Sequence, residues 1–505
     1  MILIFPPVVK PCEPPGGVAL LSGALTRHNI AHKIYDANVE GLLFLINSDI
    51  KPGSSWTRRA LLHREKNIAS LRDYSLYDNL DRYKQKLFDT NKLLNAALLS
   101  KRFKLTLADF KDTQLSPVKS SDLLYAAENF KENPFYDYFE TCLKERIQNS
   151  DSKYIGISLC YLSQALTSFA LAGWLKHNFK DKKIMFGGGL VSTWLSMPDW
   201  ENSFSKFVDM FVKGEGEEKI LSVCNIKDKP GSRYAPDFDF VNWDSYLAPG
   251  RILPFSSSRG CYWRRCKFCP EKAEKTQYTP VKISEVIKDL KDISTRYKQD
   301  YVHFIDNAIS PALMKALVNF DLQKDISFSW YGFARIRKEL QDIDYMKALR
   351  KSGCVMLNLG LESGDQAVLD KMEKGVDLKV ASNVLKACKT AGIKTYVYLL
   401  FGTPQENEES AEKTLAYVAH HAPFIDFMNL AIFNLPKFSE EAEGLRVKQF
   451  YEGDLSLYYN FKHPLGWDRK KVREFLLKKF KKNPLISPIV VKNPPFFTSN
   501  HAMFF

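Results

Sequence analysis

The sequence contains no stretch of about 20 uncharged apolar residues, the length a helix needs to cross a bilayer, so no spanning segment is expected. Its opening, MILIFPPVVKP, is strand-like and lacks a charged n-region followed by a long apolar h-region, so no signal peptide is expected either. Cysteine is sparse: nine in 505 residues, six of them widely scattered. That excludes a disulfide framework and suits a reducing cytoplasm, where clustered thiols mean metal or catalysis. The fingerprint GxGxxG is missing after the glycine-closed strand at 183–186, which disfavours a nicotinamide dinucleotide site.

Basic residues do outnumber acidic ones, 72 to 58, for a formal net charge of +14. They are spread through helical stretches such as 51–153 and 470–482, which reads as a solvated surface and disfavours nucleic acid as the partner. The same field would favour an acidic peptide or an anionic small substrate. With 45% hydrophobic and 26% charged residues, the chain has the composition of a globular protein with a substantial core. Its length suits two or three domains.

Residues 1–45 read as strand, helix, strand. The apolar run at 2–5 ends at Pro6 and Pro7, and Val18, Leu20, Leu21, Ala24 and Leu25 recur at helical spacing before a strand at 31–35. Residues 46–150 are rich in Lys, Asp, Asn and Leu and predict a helical insertion, with helices at 89–101 and 121–130. Strand patterns return at 154–159 (YIGISL), 183–186 and 208–212, the last leading into Gly214-Glu-Gly-Glu217. The expectation is an α/β fold with a doubly wound parallel sheet of four or five strands over residues 1–225. Ligands of such sheets bind beyond the carboxyl ends of the strands, here Pro6, Pro7, Ser158, Gly187, Gly188, Gly189 and 214–217. Residues 226–250 read as a linker.

Over 251–440 a second series begins. Strands are expected at 252–256, 301–305, 328–333, 355–361, 394–400 and 427–433, alternating with helices at 282–297, 311–320, 342–352, 367–372, 378–391 and 408–421. Six such units make a partial (β/α)6 barrel, with active-site residues at the carboxyl ends of its strands. Residues 441–505 form a C-terminal extension with a basic helical stretch at 468–482. Its aromatic end, Phe496, Phe497, Phe504 and Phe505, is expected to pack back on the core.

The chemistry concentrates at 256–270, SSSRGCYWRRCKFCP, where Cys261, Cys266 and Cys269 fall within nine residues. Arg259, Arg264, Arg265 and Lys267 surround them, and nearby cations favour the thiolate form that binds metal. Four thiolates would indicate structural zinc or a fully ligated cluster; three fit a [4Fe–4S] cluster with one iron open. A zinc knuckle with a distant fourth ligand is the alternative.

A three-cysteine loop after the first strand of a partial barrel resembles the radical SAM superfamily. The spacing here is CX4CX2C where that family usually has CX3CX2C, which puts the usual loop geometry in question. Phe268, just before the third cysteine, matches the aromatic that the family places against the adenine of S-adenosylmethionine. Residues 355–364 (VMLNLGLESG) resemble the fourth-strand segment, which implies a ribose contact from Glu362 or Ser363. Residues 398–406 (YLLFGTPQE) resemble the fifth-strand segment, with Gly402 on the adenine side. Asp306 and Arg335, at the ends of the second and third barrel strands, are implied contacts to the methionine amino and carboxylate groups. For Asp306, Arg335 and Glu362 a structural salt bridge or cap is the competing role. Tyr262, Tyr396, Tyr398, His420 and His421 are further proton or radical partners, with packing as the plainer assignment.

The N-terminal half is similar to the cobalamin-binding domain of class B radical SAM methylases, through 154–164 (YIGISLCYLSQ), Ser158 and the Gly187-Gly188-Gly189 run. The DxHxxG motif of many cobalamin domains is not matched: Asn38 stands where its histidine would, in Asp36-Ala-Asn38-Val-Glu-Gly41. The resemblance therefore implies a [4Fe–4S] cluster, S-adenosylmethionine and cobalamin without an axial histidine. It implies C-methylation of a peptide or natural product, with a flavodoxin or ferredoxin as electron donor, in the cytoplasm and with no membrane partner. Alternatives are a radical rearrangement, oxidation or ring formation without methyl transfer, and a non-catalytic iron–sulfur protein that binds nucleic acid.

Overall fold

The computed structural model describes residues 1–229, 231–319, 328–495 and 501–504. Phe320, Phe496, Phe497 and Phe505 lie outside the described residues. The chain divides into two compact units, one of residues 1–252 joined by Tyr451–Leu457, the other of the remainder. Among the described residues no helix is long and apolar enough to cross a membrane.

The first unit is built on five parallel strands, β1 (Ile2–Ile4), β2 (Lys33–Tyr35), β3 (Tyr154–Ser158), β4 (Lys183–Gly187) and β5 (Met210–Phe211). Their order is β2-β1-β3-β4-β5, with Leu3 opposite both Ile34 and Gly156. Strands covered by helices on both faces must be apolar throughout, and β1 is buried at all three positions. Helix Leu162–Asn178 is buried from Gln164 to Leu175, so it lies within the core instead of presenting a polar face.

Three expectations are corrected here. The insertion is not purely helical: Phe103–Leu105 and Phe110–Asp112 form an antiparallel pair. Side chains distant in sequence hold it, since Arg102 bonds Asp112 and Glu132, and Asn91 and Asn95 accept the backbone N–H groups of Leu107 and Leu105. The helix expected at 89–101 instead runs Leu80–Ala97, because the Asn79 side chain accepts the Arg82 N–H and caps it there. The stretch 226–250 is packed and not a free connector: Asp237 N–H donates to the Ala19 carbonyl, Leu247 N–H to Pro11, and the Tyr246 hydroxyl to Asp36.

The main sheet of the second unit has six strands, β6 (Ile252–Phe255), β7 (Tyr301–Phe304), β8 (Ser329–Ala334), β9 (Cys354–Glu362), β10 (Lys394–Phe401) and β11 (Phe427–Ile432). They lie in sequential order, and β7 to β11 pair parallel. Parallel neighbours need a crossover, and helices between the strands supply it. Helix Ile283–Tyr297 buries Val286, Leu290, Ile293 and Tyr297, one stripe at helical spacing. Helix Leu378–Ala391 is capped by the Asp377 side chain and stopped at left-handed Gly392.

The extension after 440 is not one piece. Tyr451–Leu457 joins the first unit, where Leu455 N–H donates to the Val118 carbonyl. Further on, the Asn493 side chain bonds both the N–H and the carbonyl of Met428 on the edge strand β11. His501 packs 4.5 Å from the Tyr396 ring and 4.8 Å from Phe427.

Candidate functional site

At the carboxyl edge of the first sheet, Ser158 ends β3 in register with Gly187 of β4. Gly188 has φ +105°, and a β-carbon there would lie 2.5 Å from the Leu159 carbonyl oxygen, so only glycine fits. Gly189 opens the helix Gly189–Trp194, and Ser192 Oγ donates to the Gly188 carbonyl while accepting the Gly214 N–H. The four residues expected for cobalamin thus meet at one edge. Asn38 is buried, and its Oδ1 accepts the Val9 N–H at 2.7 Å, so it braces the loop after β1. Gln164 is a residue the sequence singled out only inside a longer string. Its Oε1 accepts from the Cys160 and Tyr161 N–H groups and its Nε2 donates to the Pro6 carbonyl, joining two loops of this edge.

In the second unit the cysteine loop leaves β6. Asp306, just past β7, accepts from the Ser257 N–H at 3.0 Å and from the Ser257 and Ser258 hydroxyls at 2.7 and 2.5 Å. Burial raises its pKa while these bonds lower it. Its carboxylate therefore holds the start of the loop. None of the three cysteines is in a disulfide; Cys266 is buried and the others are half-buried. The Cys269 N–H donates to the Cys266 carbonyl, and Cys269 precedes the short helix Pro270–Ala273. Burial pushes the Cys269 thiol up to about 11, so it keeps its proton until a cation displaces it. Among the described residues no group of three His, Cys, Asp or Glu is arranged to hold a metal ion. The donor set fits a three-thiolate cluster in kind and in order along the loop.

Lys374, which no sequence signal marked, gathers several expected residues. Its ammonium lies 2.7 Å from Glu362 Oε1 and 5.4 Å from the centre of the Phe268 ring. Arg335 Nη2 donates to the Lys374 carbonyl, and Nη1 lies 3.8 Å from Cys266 Sγ. Glu362 is left-handed, φ +68°, at a register shift in β9 that turns its side chain toward this lysine. Phe268, Arg335, Glu362 and Cys266 therefore form one constellation.

Ser363 and Gly402 stand outside it. Ser363 is buried toward helix Glu408–His421, its Oγ 3.2 Å from Thr414 Oγ1. Gly402 N–H donates to Glu406, whose same oxygen accepts from Trp467 Nε1 at 2.9 Å. Among the other candidates, His421 stacks on Tyr417 at 4.1 Å and bonds its carbonyl, which is a packing role. Tyr398 lies 4.9 Å from Phe333 and Tyr262 6.2 Å from Tyr278.

Residues 255–418 match the radical SAM superfamily. The chain is 23% identical over 236 residues to an uncharacterized methyltransferase of Pyrococcus horikoshii, covering 43% of this chain and 50% of that protein. It is also 23% identical over 274 residues to the anaerobic magnesium-protoporphyrin IX monomethyl ester cyclase of Rubrivivax gelatinosus, covering 46% and 48%. The chain spans about half the length of these curated relatives. Among solved structures, the radical S-adenosylmethionine methyltransferase TsrM from Kitasatospora setae, with tryptophan substrate and a SAM analog bound, aligns with a TM-score of 0.55 at 14% identity, over 90% of this chain and 79% of that one. The cobalamin-dependent S-adenosylmethionine radical enzyme OxsB, with aqua-cobalamin bound, aligns with a TM-score of 0.56 at 12% identity, over 92% and 64%.

The chain therefore carries a radical SAM domain over residues 255–418. Its fold is similar to those of the radical SAM methyltransferase TsrM and the cobalamin-dependent radical enzyme OxsB.

Proposed function

We propose that this protein uses a [4Fe–4S] cluster and S-adenosylmethionine to methylate an unactivated carbon of a small molecule or peptide, with cobalamin as the methyl carrier. The observation that carries this is a loop of three free thiols leaving the first strand of a six-stranded barrel sheet, inside the segment that matches the radical SAM superfamily. Cys261, Cys266 and Cys269 would hold the cluster. Bound there, cluster and S-adenosylmethionine would together supply a 5′-deoxyadenosyl radical, which the barrel shields from solvent. Phe268 and the Glu362–Lys374 pair would orient the nucleoside, and Asp306 would set the loop entry. Ser158, Gly187, Gly188 and Gly189 would form the cobalamin edge, with no histidine ligand. A flavodoxin or ferredoxin in the cytoplasm would deliver the electron.

Protein purified and reconstituted without oxygen should show a [4Fe–4S] absorbance that the triple Cys→Ala variant lacks, and should release 5′-deoxyadenosine with reductant. It should retain hydroxocobalamin through gel filtration. A triple variant that keeps its cluster would overturn the site, and loss of all cobalamin on the column would overturn methyl transfer. The second reading, radical ring formation without methyl transfer, is favoured by the likeness to the Rubrivivax cyclase. It predicts 5′-deoxyadenosine formation without methyl from labelled S-adenosylmethionine reaching product.

A further inference from the structure

The gap between Cys261 and Cys266 holds four residues, and one of them, Trp263, is fastened more firmly than a solvent-facing loop residue needs. Its Nε1 donates to the Glu373 carbonyl at 2.9 Å. The Arg335 guanidinium lies 4.3 Å from its ring centroid and that of Arg265 5.1 Å. The edge of the indole occupies the space where Gly375, at φ +67°, would carry a side chain: a β-carbon there would sit 2.1 Å from Cζ2. The same turn grips the loop twice more, since Lys267 N–H donates to the Met372 carbonyl at 3.1 Å and Lys267 Nζ pairs with Glu373 at 3.0 Å.

Arg335 is 8% exposed. One edge of its guanidinium is fixed on the Lys374 carbonyl, its face lies on Trp263, and Nη1 is left to donate to Cys266 Sγ at 3.8 Å. A cationic donor at a ligand sulfur withdraws charge from it, and hydrogen bonds to such sulfurs are among the factors that set an iron–sulfur potential. Arginine stacks flat on an indole while its edge donates, which lysine cannot do.

We propose that the lengthened loop exists to seat Trp263 against Gly375. Trp263 is thereby the positioning residue that holds Arg335 as hydrogen-bond donor to Cys266, and Arg335 raises the potential of the cluster bound there. This rests on the cluster reading above. It also gives Arg335 a task that needs no S-adenosylmethionine, unlike contact with the methionine carboxylate.

The full chain, reconstituted anaerobically, is titrated by electron paramagnetic resonance at graded potentials with no S-adenosylmethionine present. Arg335→Met is expected to hold wild-type iron at a more negative midpoint. Trp263→Ala should shift the midpoint the same way by less, and Trp263→Phe, which keeps a ring face, should restore most of it. The double variant should shift no further than Arg335→Met alone, because Trp263 acts through Arg335. An Arg335→Met midpoint equal to wild type, or single shifts that add fully in the double variant, overturns the proposal. If Arg335→Met takes up no iron, Arg335→Gln is measured instead, and an unshifted midpoint there counts against the proposal equally. A wild-type protein that forms no cluster sinks the proposed function itself, so the two failures are distinct.

Discussion

Glu406 shows how burial turns a carboxyl into a pH-dependent part of the fold. Both its donors, Gly402 N–H and Trp467 Nε1, fall on one oxygen, and the other has no partner among the described residues. Burial pushes its pKa up to about 7 from an ordinary 4.5. Because the folded state holds the proton more tightly, the stabilisation is fully present below pH 4.5 and is lost as pH rises through about 7. Denaturant titrations should show stability falling across that window by at most about 1.4 kcal/mol per pH unit from this group, and Glu406→Gln should flatten the slope. Asp36, buried and pushed up to about 6, adds a second contribution of the same sign. The Glu362–Lys374 pair behaves differently, because both charges are enclosed. Lys374→Met leaves a carboxylate buried alone and should cost roughly 3–5 kcal/mol, whereas Lys374→Met with Glu362→Gln should recover much of it. Equal losses in the single and double variants would show that the pair is not coupled. Asp306→Ala strips the acceptor from three donors of the Ser257–Ser258 turn and should cost about 1–3 kcal/mol for each donor left unsatisfied. Its iron content after reconstitution should fall with it.

At the level of elements, β11 is one edge of the barrel sheet, and unpaired edges invite association. The Asn493 amide bonds the Met428 N–H and carbonyl as a neighbouring strand would. Truncation after residue 492 should therefore raise light scattering of purified protein, while Asn493→Asp, which keeps only the acceptor, should have a smaller effect. The barrel strands were legible because their alternation is local: expected strands at 301–305, 355–361 and 394–400 became Tyr301–Phe304, Cys354–Glu362 and Lys394–Phe401. Their apolar runs are buried against covering helices, so the pattern in the chain and the burial coincide. The strand expected at 208–212 shortens to Met210–Phe211 at the edge of its sheet, where only one neighbour fixes its length. The hairpin in the insertion was not legible, because Asn91, Asn95 and Arg102 fasten it across turns that no local periodicity encodes.

For the molecule as a whole, a net charge of +14 should produce retention on polyanions that falls with salt and shows no preference among DNA sequences. A sequence preference would revive the nucleic-acid reading. The chain by itself determined the α/β class, the parallel sheet of each unit and the gathering of three cysteines on one loop. Period and motif are local properties, carried by neighbours along the backbone. Only the tertiary structure decided which side chains meet at that loop. Lys374 was picked out by nothing in its own surroundings, yet it joins Glu362 to Phe268. The tertiary structure put Asp306 at the loop entry as an acceptor and Ser363 against a helix. Arg335 came to rest between Trp263 and Cys266. The irregular spacing visible in the sequence as one extra residue found its physical meaning in Gly375, more than a hundred positions away, where the missing β-carbon makes room for the indole. Such pairings depend on the exclusion of volume between distant segments, and that is settled only when the chain is folded.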